Sequence, residues 1–208
     1  MMLGFSHGRL IFREGGKNML MDRIVGAFTF RKGVYAEVEK DTAFSTTAWI
    51  LVIVVAFINQ LGSAASRNLA GWVVGAVVGT IFAVVGFAVG AFVVSLVGRA
   101  VFNAEVNFNE MVRTLGLAYV WQVVAVLGIL GVLSPALGCV TAPAVLVAAI
   151  LGLIAWFVAA KEALDLDWLR TIVTVIIGWL VFAAIVVASG IVLGLLGLGA
   201  AGVSGLLG

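Results

Sequence analysis

Five uncharged apolar stretches set the limits of what this chain can fold into. They run from Ala43 to Gly62, Leu69 to Gly98, Thr114 to about Ser134, Cys139 to Ala160, and from after Arg170 to about Leu198. About 20 apolar residues cross ~30 Å of hydrocarbon as a helix, and each stretch meets that length. The first is marginal, because Asn59 and Gln60 interrupt it. The second is long enough to tilt or to extend past the bilayer. Backbone groups in lipid need internal partners, so the expected spans are helices. The run Ile50-Leu51-Val52-Ile53-Val54-Val55 lacks the alternation of a membrane barrel strand.

Composition agrees. Hydrophobic residues make up 63% of the 208 positions and charged residues 11%, against about 25% charged in a soluble domain. The mean hydropathy is +1.25. These values exclude an ordinary soluble domain and a disordered chain. The expected fold is all-α, a polytopic bundle of five transmembrane helices. The expected organisation is a leader at 1–18, an amphipathic region at 19–42, the membrane domain at 43–198 and a Gly-rich outer tail at 199–208.

Charge placement gives an orientation. With five spans, eleven of the twelve Lys and Arg residues share one side and Arg67 stands alone on the other. The positive-inside rule then puts the N-terminus in the cytoplasm and the C-terminus outside. Trp49, Trp72 and Trp168 stand near span ends as interface anchors, whereas Trp121, Trp156 and Trp179 are expected to pack between helices.

Residues 1–18 hold charges and no apolar core suited to a signal peptide. Arg13-Glu14-Gly15-Gly16 can be encoded by a purine-rich run like a ribosome-binding site. Translation is therefore expected to start at Met19 or Met21; an intact native mass beginning at Met1 would exclude this. Beyond it, Met21, Ile24, Val25 and Phe28 follow the spacing of one helical face, with Asp22, Arg23 and Thr29 on others and Arg31 and Lys32 next. Two readings stand side by side. The helix lies in the cytoplasmic interface, where basic residues near anionic lipid gain about 1 kcal/mol each, or it packs on the ends of the bundle. Val34, Tyr35 and Val38 suggest a second short helix with Glu37, Glu39 and Lys40 toward water.

Local signals are sharper. Asn107-Phe108-Asn109-Glu110 reads as a capping box before the third span. Arg113 is expected to snorkel to the membrane surface. Asp167, or alternatively Asp165, is expected to cap the fifth span. Pro135 and Pro143 read as helix stops around the outer turn between spans three and four. Gly71, Gly75, Gly79 and Ala83 recur every four residues, and Gly86 and Gly90 continue with a shift of register. Small residues at this spacing let helices approach closely, here against a partner expected within the chain. The late glycines from Gly194 to Gly208 suggest a fraying tail.

Several chemistries find no support. No Asp, Glu, Lys, Arg or His lies inside a span, which speaks against an ion-coupled transporter, pump or voltage sensor. Ser95 and Ser189 have no membrane histidine to activate them. Glu162, Asp165 and Asp167 share a solvated loop without a histidine, which suits capping better than catalysis. One cysteine, Cys139, and one histidine, His7, make neither a disulfide nor a metal site. No enzyme activity, cofactor, metal or nucleic-acid partner is expected. Tyr119 and Gln122 share a face of the third span, where they either bond a neighbouring helix or line a small polar cavity.

Three ordered segments carry a resemblance: Met21 through Phe28, Phe108 through Tyr119, and Ile154 through Leu166. Together they resemble the Yip1 family of five-span membrane proteins, especially its bacterial branch, over about residues 21–190. The resemblance implies a cytoplasmic membrane of a prokaryote. It supplies no catalytic residue. The eukaryotic members' Asp-Leu-Tyr-Gly-Pro segment is absent, with Asp41-Thr42-Ala43-Phe44 near its place, and their Gly-Tyr motif survives loosely as Gly116 and Tyr119. Their role in vesicle traffic with small GTPases therefore does not carry over. The expected function is non-enzymatic: organising the bilayer, or serving as scaffold or accessory subunit. The partners expected are the lipid bilayer and other integral membrane proteins, with a homo-oligomer left open. The alternative is a passive channel, lipid scramblase or small-molecule transporter lined by Tyr119, Gln122 and glycine backbone.

Overall fold

Helix boundaries fall where capping chemistry allows them. In the computed structural model, described over residues 19–63, 65 and 68–195 with side chains to 184, α1 covers residues 19–28 and α2 covers Val34–Lys40. The first span is α3, Phe44–Ser63. The second is α4, Leu69–Phe102, which opens with the Asn68 side chain accepting from the Gly71 N–H and closes on Asn103 in left-handed conformation. The third span begins as α5, Phe108–Ala118, continues as a 3-10 helix, Tyr119–Gly128, and ends as α6, Ile129–Leu133. The fourth is α7, Pro135–Leu164, and the fifth α8, Trp168–Leu195. Four of these stretches are long and apolar enough to cross a membrane outright, and α8 adds a fifth apolar helix. The fold is a helical bundle.

Position α5 sits at the middle of this bundle. Every residue from Met111 to Ala118 is buried, with α2, α3, α4 and α7 around it. Small side chains permit the contacts. A Cβ on Gly116 would stand 3.2 Å from the Ala48 Cβ of α3, and one on Gly152 of α7 would stand 2.9 Å from Trp121 Cβ. The closest approach joins α3 to the 3-10 helix, where a Cβ on Gly62 would collide with the Ala125 carbonyl oxygen. On the other flank α8 lies along α4, where a Cβ on Gly178 would meet Val94 at 2.8 Å. Outward faces carry large apolar side chains such as Ile53, Val74, Phe82, Leu146 and Leu180, as lipid-facing helices require.

Several expectations need correcting. Pro143 does not stop a helix; it lies inside α7, whereas Pro135 occupies its first turn, where the missing N–H costs nothing. The turn between spans three and four is thus reduced to Ser134. Asp165 closes α7 with φ 50°, and does not open α8. Asp167 precedes α8, and its carboxylate pairs with Arg170 at 3.2 Å. Arg113 does not snorkel: it is only 4% exposed. The glycine row does not form the intrachain seam along its length. Gly79 meets Gln60 of α3, but a Cβ on Gly86 or Gly90 would meet nothing within 4 Å. The leader at 1–18, Arg67, the Ser189 side chain and the tail at 199–208 lie outside the described residues.

Candidate functional site: a basic-end cap and an intramembrane cavity

Among the described residues, every Asp, Glu, Lys and Arg falls within 22–41, 99–113 or 161–170. Helix α2 packs on α5 and α7, so the fold gathers these segments at one end, here termed the basic end. Their side chains serve mainly to close helices. The capping box is complete: Glu110 N–H donates to Asn107 Oδ1 at 2.9 Å, and Asn107 N–H donates to Glu110 Oε2 at 2.9 Å.

Arg113 is the centre of this cap. Its Nε donates to the Val38 and Glu39 carbonyls at 3.1 and 3.0 Å, Nη2 donates again to Glu39 O, and Nη1 donates to Ser45 Oγ at 3.2 Å. The last carbonyls of α2 lack intrahelical donors, and a guanidinium supplies a fork of N–H groups suited to them. One side chain of α5 thereby fastens α2 and the start of α3.

Arg23 of α1 plays a parallel part. Its Nη1 lies 2.8 Å from Asp41 Oδ2, and its guanidinium carbon 5.0 Å from the Phe44 ring centroid. The α1 helix is therefore held by Arg23, Ala27 and partly buried Ile24 and Phe28, while Met21 and Val25 are 59% and 53% exposed. Phe28 and Phe30 rest on Trp121, at ring distances of 4.9 and 5.7 Å. Arg31 spans Asp22 and Glu37 at 2.7 and 2.9 Å. Lys32 is exposed beside it.

Two groups at this end titrate away from their ordinary values. Burial pushes the Tyr35 phenol up, so it stays protonated throughout the physiological range. Partial burial, followed by the negative charge of Asp165, raises the Glu39 carboxyl; Lys40 opposes the shift, and Glu110 and Glu162 add to it.

Within the span region, Tyr119 and Gln122 do come together. They line a cavity of about 410 Å³ with Ala118, Ala149, Gly152, Leu153, Trp156 and Trp179. Gln122 also bonds the neighbouring helix: Asn59 Nδ2 donates to its backbone and side-chain oxygens at 3.0 and 3.2 Å. Tyr119 stacks edge-on against Phe87 at 5.4 Å. Gln122 thus both bonds α3 and lines the cavity, whereas Tyr119 lines the cavity and packs on Phe87. Trp121 and Trp156 are partly buried against the core, whereas Trp179, expected to pack between helices, is 41% exposed and only leans on Trp156 at 5.8 Å from the outer face of α8. Trp72 near a span end donates Nε1–H to Leu61 O at 2.9 Å. Sequence reasoning missed Asn59 as a polar partner, and missed Arg23 and Arg113 as buried groups. The signal for Asn59 was its interruption of the first apolar stretch. Among the described residues, no group of His, Cys, Asp or Glu could hold a metal ion.

Comparison with known proteins gives one family. The model described as Yip1 domain matches residues 25–202. No curated relative and no solved structure matches the chain.

Proposed function

The chain belongs to the Yip1 domain family, and on that premise we propose that it is a non-enzymatic multi-pass membrane protein that organises bilayer or holds other membrane proteins as scaffold or accessory subunit. One observation carries this reading. The acidic and basic side chains of the described residues are confined to the basic end, where they close helices and join elements, leaving the span interiors without ionisable relays. The basic end faces the cytoplasm of a prokaryotic cell in this reading, with the exposed Met21 and Val25 of α1 and the following Lys32 toward the lipid interface, while Ile24 and Phe28 pack inward and Arg31 is held by Asp22 and Glu37. The open glycines Gly86 and Gly90 leave a face of α4 free for another helix.

The test is native extraction of the tagged protein with its lipid in a membrane-solubilising polymer, followed by mass spectrometry. A stoichiometric membrane-protein partner is the expected result. Recovery with lipid alone would remove the scaffold reading. A second reading, passive passage of lipid or solute, is favoured by the cavity at Tyr119 and Gln122. Proteoliposomes holding the pure protein separate the two, because the scaffold reading expects no flux.

A further inference from the structure

A smaller cavity at the basic end combines features that the helix-closing role leaves unused. It encloses about 180 Å³ between the α1–α2 turn and the end of α7, lined by Phe30, Arg31, Lys32, Tyr35, Val158 and Glu162 among others. A liquid-like water occupies about 30 Å³, so the space exceeds a single water several times over. Tyr35 is only 2% exposed, yet its hydroxyl has no hydrogen-bond partner. Arg31 Nε is likewise buried without an acceptor. Buried donors of this kind are costly to leave unmade, and both belong to residues that line this cavity, so an acceptor that reached them from it would recover that cost.

Charge narrows the ligand. Both terminal nitrogens of Arg31 are engaged by Asp22 and Glu37. Lys32 makes no ion pair among the described residues, and Glu162 has only a 3.7 Å contact with Lys161. The lining therefore offers one free cation and one weakly paired carboxylate. A simple anion would face Glu162, and a simple cation would face Lys32. A zwitterion satisfies both. Phe30 and Val158 give the same cavity an apolar wall.

We propose that this cavity holds the headgroup of an aminophospholipid, with its phosphate on Lys32, Tyr35 and Arg31 and its primary ammonium on Glu162. The assignment rests on the reading that the basic end lies at the lipid interface. Tyr35 remains a neutral donor to phosphate at physiological pH.

The test is native mass spectrometry of the full chain in detergent with phosphatidylethanolamine, phosphatidylglycerol and phosphatidylcholine of identical acyl chains. Phosphatidylethanolamine should be retained about tenfold better than either competitor, a 1.4 kcal/mol preference. Tyr35→Phe and Lys32→Ala should each lower that retention several-fold. Glu162→Gln should abolish discrimination between phosphatidylethanolamine and phosphatidylglycerol while phosphate-dependent binding persists. Tyr35→Phe removes an unpartnered hydroxyl, so it should fold with an unchanged or higher Tm, which separates lost binding from lost structure. Equal retention of the three lipids, or retention insensitive to Tyr35→Phe and Lys32→Ala, would overturn the proposal. Soluble O-phosphoethanolamine displacing the lipid at equal concentration would overturn its lipid source. A membrane-protein partner recovered by native extraction alongside equal lipid retention would remove this site and leave the scaffold reading standing.

Discussion

Removing the Arg113 guanidinium leaves the last carbonyls of α2 facing a buried gap. Hydrogen bonds to charged groups contribute about 1.5–3 kcal/mol each in net terms, and an unsatisfied buried carbonyl adds its own cost. Arg113→Met should therefore destabilise the protein by about 3 kcal/mol, read as a lower Tm in detergent and as faster proteolysis beside Lys40. Arg113→Lys should recover only part, because an ammonium cannot reproduce the fork that reaches Val38, Glu39 and Ser45 together. Glu39 answers to pH. Its carboxyl is raised in the folded state, so folding there favours the protonated form, and stability falls as pH rises from the free carboxyl value through the raised one, above which the loss is complete. Glu39→Gln should raise Tm at pH 7.5, with the gain disappearing below about pH 4, where the free carboxyl is protonated in both states. An equal Tm gain at both pH values would exclude the electrostatic cause. The sequence made the Asn107–Glu110 box readable because both partners stand three residues apart. It hid the role of Arg113 because its acceptors lie about 75 positions away, and a basic residue beside an apolar stretch looks the same whether it snorkels or turns inward.

Among elements, spacing alone identified a row of small residues on α4 but not the helices it would touch. Of that row Gly79 makes a close approach, to Gln60; the others described use isolated glycines, Gly62, Gly116, Gly152 and Gly178, whose value depends on the opposing backbone or side chain. Gly62→Ala should disrupt the contact of α3 with the 3-10 helix and cost about 1–3 kcal/mol, as overpacking does. Gly86→Ala and Gly90→Ala have room for the methyl group, and each should leave stability unchanged or raise it by up to about 1 kcal/mol through helix propensity. Thermal unfolding of the three variants checks the contrast directly. If α4 seats a partner helix at Gly86 and Gly90, Gly90→Leu should reduce co-purification without lowering Tm. Helix ends were only partly readable. Pro143 fits a stop by residue type, yet α7 continues on both sides of it. The 3-10 stretch from Tyr119 to Gly128 had no local signature, since its ten residues are as apolar as the helices around them.

For the whole molecule, hydropathy and charge made the bundle readable, because each span needs only length and apolarity. The orientation can be checked on a Cys139→Ser background. Ala65→Cys should react with a membrane-impermeant maleimide in intact cells, whereas Glu105→Cys and Lys32→Cys should react only after permeabilisation. The reverse pattern would overturn the assignment of the basic end to the cytoplasm. How the spans meet was less accessible to sequence, because it depends on pairs far apart in the chain, such as Asn59 with Gln122 and Val94 with Gly178.

Helices α1 and α2 pack at one end of the bundle, with no comparable pair among the described residues of the other. If α1 and α2 lie at headgroup depth, as proposed above, the two monolayers meet cross-sections of different area. Seated in a flat sheet, such a molecule spreads one monolayer more than its twin. It fits best where the sheet already bows toward the wider side, so the shape of the surrounding membrane becomes a quantity to which the protein is matched.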